Sequence, residues 1–109
     1  MAETITVARP YAQAAFEFAE AQHLLQEWAD MLVLLANVVT DKDMAELLDS
    51  PRLTEQQLSD LIIEICGDRL SDKGANFVRV LAANRRLGLL PDIAALYRSE
   101  EHTSELQSR

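Results

Sequence analysis

Thr6-Val7-Ala8-Arg9-Pro10-Tyr11-Ala12-Gln13-Ala14-Ala15-Phe16-Glu17-Phe18-Ala19 decides how this chain folds. It reads as a helix with very little polar surface. Pro10 suits a first helical turn, where its missing N–H is not needed, so the helix is expected to begin near Thr6. Beyond it, Tyr11, Ala12, Ala14, Ala15, Phe16, Phe18 and Ala19 leave only Gln13 and Glu17 as clear solvent positions. A surface helix normally shows a single apolar stripe, and one that is apolar nearly all round is buried on two sides. In so short a chain one side is the domain's own core. The other needs a partner.

The rest of the chain also reads as helices. The first is expected over Thr6 to Ala21, with His23 at a short joint, and the second from Leu24 to Val39 with Trp28, Met31, Leu32, Leu35 and Val38 on one face. Thr40-Asp41-Lys42-Asp43 supplies capping residues for a short third helix carrying Met44, Leu47 and Leu48. Ser50-Pro51 stops it, because the residue before proline avoids the α region. Thr54-Glu55-Gln56-Gln57 has the form of a capping box, and the fourth helix shows Leu58, Leu61, Ile62, Ile65 and Cys66 at helical spacing. Gly67 is placed to end it in a left-handed conformation. Ser71 is positioned to cap a fifth helix reaching about Asn84, and a sixth begins near Leu90 or Pro91 with Ile93, Ala94, Leu96 and Tyr97. No stretch alternates as a strand would. The expected fold is all-α, a compact six-helix bundle.

The fifth helix repeats the property of the first. Phe77, Val78, Val80, Leu81, Ala82 and Ala83 leave only Arg79 as an obligate outward position. Asn76, Val80, Ala83 and Asn84 share one side; Phe77, Val78 and Leu81 share another. Two helices with surplus apolar faces imply a groove between them, the usual receptor for an amphipathic peptide helix.

Composition narrows the classes further. One domain fits in 109 residues, and 49% apolar content is enough for a core. Few aromatics and only three glycines suit a bundle better than a sandwich. A net charge of −8 argues against nucleic acid as a partner and against docking on an anionic lipid surface. No apolar run approaches the ~20 residues needed to span a bilayer, so direct membrane insertion is not expected. The start of the chain has Glu3 and no secretory pattern, and the single Cys66 rules out an internal disulfide. The chain therefore reads as soluble and cytoplasmic.

Catalytic chemistry is not expected. His23 and His102 are the only histidines, and Cys66 lies on the apolar stripe of the fourth helix, where it reads as a small buried hydrophobe. No residues have metal-ligand spacing, and no glycine-rich phosphate loop is present. No catalytic residue, cofactor or metal is assigned. Trp28 reads as a core aromatic, and Arg85-Arg86 as complements to a helix dipole.

Two blocks carry a family resemblance. Val7-Ala8-Arg9-Pro10-Tyr11-Ala12-x-Ala14-Ala15-Phe16 resembles the opening of the delta subunit of bacterial F-type ATP synthases, relatives of the mitochondrial oligomycin-sensitivity-conferring protein. Asn76-Phe77-Val78-Arg79-Val80-Leu81-Ala82-x-Asn84-x-Arg86-Leu87, then Leu90-Pro91, follows at the family's spacing, and Trp28, Met44-Ala45-Glu46-Leu47-Leu48 and Cys66-Gly67 also match. The resemblance implies a non-catalytic peripheral-stalk (stator) subunit that links the catalytic head to the membrane sector during proton-driven ATP synthesis. It implies a peripheral location at the cytoplasmic face of the bacterial inner membrane. In that family the first and fifth helices of a six-helix N-terminal domain hold the N-terminal helix of an alpha subunit. On that basis Tyr11, Ala14, Phe18, Asn76, Val80 and Ala83 are the expected partner-binding residues. A second domain, which contacts the b subunits, is expected in the full-length family member and absent here.

The stretch from Arg98 to Arg109 breaks the pattern. Leu106 is its only large apolar residue, so it is expected to be disordered. It resembles, over its whole length, the in-frame translation of a sequencing-library adapter, which implies a tail foreign to the domain. Its two Arg and three Glu alter the charge by one, so the acidic balance belongs to the rest. The expected organisation is a domain over 1–97 and a tail over 98–109. Two alternatives from other classes are an RNA-binding helical bundle of the transcription-antitermination type, disfavoured by charge, and a self-associating helical adaptor.

Overall fold

The computed structural model describes the backbone of residues 2–107 and the side-chain surroundings of residues 4–101. Six helices follow one another: α1 (Ala2–Ala21), α2 (Leu25–Thr40), α3 (Lys42–Leu48), α4 (Glu55–Cys66), α5 (Asp72–Ala83) and α6 (Leu90–Gln107). Single 3₁₀ turns over Gly67–Arg69 and Leu87–Leu89 join α4 to α5 and α5 to α6. No strand occurs among the described residues.

The helix boundaries follow from local chemistry. Thr54 Oγ1 accepts from the Gln57 N–H at 3.1 Å, and Gln57 Oε1 accepts from the Thr54 N–H at 2.9 Å, closing the capping box. Ser71 Oγ accepts from the Gly74 N–H at 3.1 Å, and Asp41 from the Met44 N–H at 3.3 Å. Gly67 adopts a φ of 56°, a conformation open to glycine without strain. α1 and α5 end differently, on a non-glycine residue of positive φ. The Leu24 N–H bonds the Ala19 carbonyl and the His23 N–H that of Glu20; Arg86 bonds Leu81 and Arg85 bonds Ala82. Each is a Schellman ending, with His23 (φ 59°) and Arg85 (φ 57°) in the left-handed position.

Two expectations need correction. α1 begins at Ala2, so Pro10 lies inside the helix and not in its first turn. An interior proline has no N–H to donate back along the helix. Pro10 is on the exposed side of α1, where losing that donor costs least. At the other end α6 continues as helix to Gln107, across most of the stretch expected to be disordered from residue 98. Extending a helix already nucleated by packed residues takes one hydrogen bond per residue, and Arg, Glu, Leu and Gln are good helix formers. Ser108 and Arg109, the end of that tail, lie outside the described residues.

The core lies between α1, α2 and α6, with the α4–α5 pair packed across α2. On α1 the buried stripe is Ala8, Ala12, Ala15, Phe16 and Ala19. Its four alanines let α6 lie close, while Phe16 meets Tyr97 edge-on at 5.7 Å between ring centroids. Tyr97 is fully buried, and its hydroxyl donates to the Leu25 carbonyl at 2.7 Å, pinning α6 to the start of α2. Burial, with the Glu101 carboxylate second, pushes this phenol well above its ordinary pKa, so it stays a donor. α2 buries Trp28, Met31, Leu32, Leu35 and Val39. The first turn of α5 presses on it so closely that a Cβ at Gly74 would sit 2.9 Å from Met31 Sδ.

Tyr97→Phe removes a buried hydrogen bond without changing ring packing, and should lower the unfolding free energy by about 1 kcal/mol in urea denaturation. His23→Gly should raise it by about 0.5–1 kcal/mol, because a left-handed non-glycine residue is replaced by one that adopts that conformation freely. An unchanged midpoint in either variant would contradict the corresponding assignment.

Candidate functional site

Beside its core stripe α1 carries a second one. Tyr11, Ala14 and Phe18 stand three and four residues apart, turned from the core toward α5. α1 and α5 do not pack backbone to backbone. Aromatic rings fill the space between them instead. Tyr11 meets Phe77 at 6.5 Å, Phe77 meets Trp28 at 5.7 Å and Trp28 meets Phe18 at 5.6 Å, each pair edge to face with interplanar angles of 76°, 83° and 68°. Aromatic quadrupoles favour this T-shaped arrangement over stacked faces.

Over these rings lies a shallow groove of about 200 Å³. Ala14, Ala15 and Phe18 form its α1 wall; Lys73, Asn76, Phe77 and Val80 form its α5 wall; Trp28 is its floor. Val80 is 50% exposed, unusual for a valine in mid-helix, and Ala14 is exposed as well. Trp28 is only 4% exposed, so it is the core aromatic expected from sequence while also underlying the groove. Its buried indole Nε1–H has no acceptor.

The expected partner-binding residues divide accordingly. Ala14, Phe18, Asn76 and Val80 line one groove. Tyr11 stands at its end: the ring touches Phe77, and the hydroxyl accepts from Arg86 Nη1 at 2.8 Å. The Arg86 guanidinium also lies 5.7 Å from the centre of the Tyr11 ring, within cation–π range. Ala83 is elsewhere. It lines a separate depression with Glu55, Gln56, Ser59 and Arg79, on the α4 side of α5. Helical spacing puts Ala83 on the same side as Asn76, so its place in that depression comes from the position of α4. Lys73 was not among the expected residues, although it stands three and seven residues before Asn76 and Val80 and so shares their face.

Two of the charged groups on or just past α5, outside the groove, form ion pairs with α4. Arg79 reaches Asp60 at 3.3 Å and Arg85 reaches Glu55 at 3.0 Å. Arg85 and Arg86 thus have specific partners beyond the helix dipole. A larger cavity of about 310 Å³, between α2, α3, α4 and the α5–α6 turn, has an apolar floor including Val39, Leu58 and Leu87, with Glu55 and Arg85 at its wall. Cys66 is buried, and its desolvation raises the thiol pKa against the smaller lowering by Arg69, so it stays protonated and inert at neutral pH. No group of three or more His, Cys, Asp or Glu able to hold a metal occurs among the described residues. The arrangement is suited to burying an apolar face.

Fold and groove define an all-α bundle that leaves part of its apolar surface uncovered between two helices. The chain belongs to the ATP synthase delta (OSCP) subunit family, whose sequence pattern matches residues 7–107. It is 47% identical over 97 residues to ATP synthase subunit delta of Nitrosococcus oceani, and 50% identical over the same length to those of Thioalkalivibrio sulfidiphilus and Hahella chejuensis. Each alignment covers 89% of this chain and 54% of the relative, so the chain spans about half the length of the curated relatives it matches.

Proposed function

We propose that this chain is the docking domain of a non-catalytic stator subunit of a rotary F-type ATP synthase, and that the α1–α5 groove holds the N-terminal helix of an alpha subunit. The observation that carries the reading is Val80, half exposed beside Ala14 in a groove lined almost wholly by apolar groups, in a chain of the delta family. Apolar area left open in the free domain is free energy held for a partner, at about 25 cal/mol per Å² buried. Docking would fix the catalytic head to the peripheral stalk and keep it from turning with the rotor. In this reading a further domain contacts the b subunits, and the subunit is peripheral at the cytoplasmic face of the inner membrane. No helix among the described residues is long and apolar enough to cross a membrane.

Trp28 is the only tryptophan and lies under the groove, so its fluorescence reports on occupancy. Titration with a synthetic alpha-subunit N-terminal helix should show saturable one-to-one binding with a negative heat-capacity change. Ala14→Asp should abolish binding while circular dichroism stays that of the folded bundle, because Ala14 is exposed. Val80→Ala should weaken binding by about 1 kcal/mol. Ala83→Asp should leave it unchanged, since Ala83 faces the α4 side. No binding by the folded chain would refute the reading, and self-association in sedimentation without peptide would favour an adaptor.

The same reading makes residues 1–97 the functional domain. Removing residues 98–109 should then leave the melting temperature nearly unchanged. A drop of several degrees would show that the last turns of α6 belong to the domain.

A further inference from the structure

We propose that Lys73 and Asn76 form a carboxylate latch at one end of the groove, so that its occupant is an amphipathic helix with an Asp or Glu side chain beside its apolar stripe. The inference rests on the groove being a helix receptor and adds which helix it accepts and in which direction. Apart from the buried indole N–H of Trp28, Lys73 and Asn76 supply the only polar side chains of the lining. They stand one turn apart in the first half of α5, so an ammonium and an amide NH₂ can meet one acceptor.

Their neighbours make the pair distinctive. Arg79 is paired with Asp60, Arg85 with Glu55, and Arg86 is engaged by the hydroxyl and ring of Tyr11. Asn84 donates its amide to the Val80 carbonyl. Lys73 and Asn76 have no hydrogen bond or ion pair with any described residue, in a chain with 18 acidic against 10 basic side chains. Both are exposed in the free domain, where water satisfies them. A helix laid in the groove would strip part of that water, and an ammonium beside apolar surface is then penalised unless the helix brings an acceptor. A carboxylate answers both donors at once.

The latch also gives the groove a direction. Tyr11 and Arg86 close it beyond the C-terminal end of α5, whereas Lys73 lies in the first turn, on the order of 15 Å away along the helix. Only the Lys73 end offers unpaired donors. A helix with its acidic side chain at the other end would leave them dry and unmatched, so one orientation is selected.

The test uses the complete chain and a synthetic alpha-subunit N-terminal helix in which each Asp or Glu is changed singly to Asn or Gln. Lys73→Gln keeps an exposed helix-forming residue at that position and should weaken binding about three- to fivefold, the weight of a partly exposed charge pair. One peptide substitution should weaken binding by the same factor, and combining the two changes should give no further loss. Raising the salt concentration should weaken the unaltered pair and have little effect on Lys73→Gln. An unchanged dissociation constant for Lys73→Gln, or losses that multiply for every peptide carboxylate, would overturn the latch while leaving the groove in place. Failure of the unaltered peptide to bind the folded chain would overturn both the proposed function and the latch.

Discussion

The edge-to-face chain of Tyr11, Phe77, Trp28 and Phe18 is the constraint around which this domain is arranged. Alanines at positions 8, 12, 15 and 19 bring α1 close to its core neighbours, yet four large rings stand between α1 and α5 and hold those helices apart. Close packing on one side and a ring spacer on the other leave a groove with an apolar floor. Had α5 carried a small residue at Phe77, the helices could have closed on each other as α1 and α6 do. Surface that a bundle of this size would ordinarily bury therefore remains open, in the form of Ala14 and Val80.

Helix ends tie this arrangement together. The Schellman ending of α5 places Arg86 immediately after a left-handed Arg85, where its guanidinium reaches the hydroxyl and ring of Tyr11. That contact fastens the end of α5 to α1 across the groove without filling it. The Arg85–Glu55 and Arg79–Asp60 pairs hold α5 to α4 on its opposite side. Both are exposed and individually weak, so their role is to orient α5 more than to stabilise it. The Tyr97–Leu25 hydrogen bond and the Phe16–Tyr97 contact do for α6 what the aromatic chain does for α5.

Much of this was legible in the sequence because it depends on local signals. The Thr54–Gln57 capping box, the Ser71 cap and Gly67 with positive φ are read from residues a few positions apart, and all three are present. The stripe expected on α4 is buried at Leu58, Ile62 and Cys66, whereas Ile65 is 52% exposed. The surplus apolar faces of the first and fifth helices were legible for the same reason, and four of the six residues chosen from them line one groove. The structure departs from the local reading where tertiary context decides. Pro10 is a good first-turn residue, but nothing local reveals that four helical residues precede Thr6 or Pro10's exposed position within a longer helix. Ala83 shares a side with Asn76 by spacing alone; the position of α4, a tertiary fact, gives it to a different depression. A charged residue in a first turn reads as solvated, so only the shape of the groove shows what Lys73 flanks.

Taken as a stator connector, the domain needs no chemistry of its own: it needs an apolar seat rigid enough to transmit torque and specific enough to take one helix. On the proposed function, the buried rings would provide the first property and the sparse polar wall the second. The most direct test of that account is to assign the backbone amides of the chain by NMR and map their shifts on adding the alpha-subunit N-terminal helix. The account predicts that the largest changes fall on Ala14, Phe18, Asn76, Phe77 and Val80, along both walls of one groove. Changes centred on Glu55, Ser59 and Ala83 would place the partner on the α4 side of α5 and contradict it.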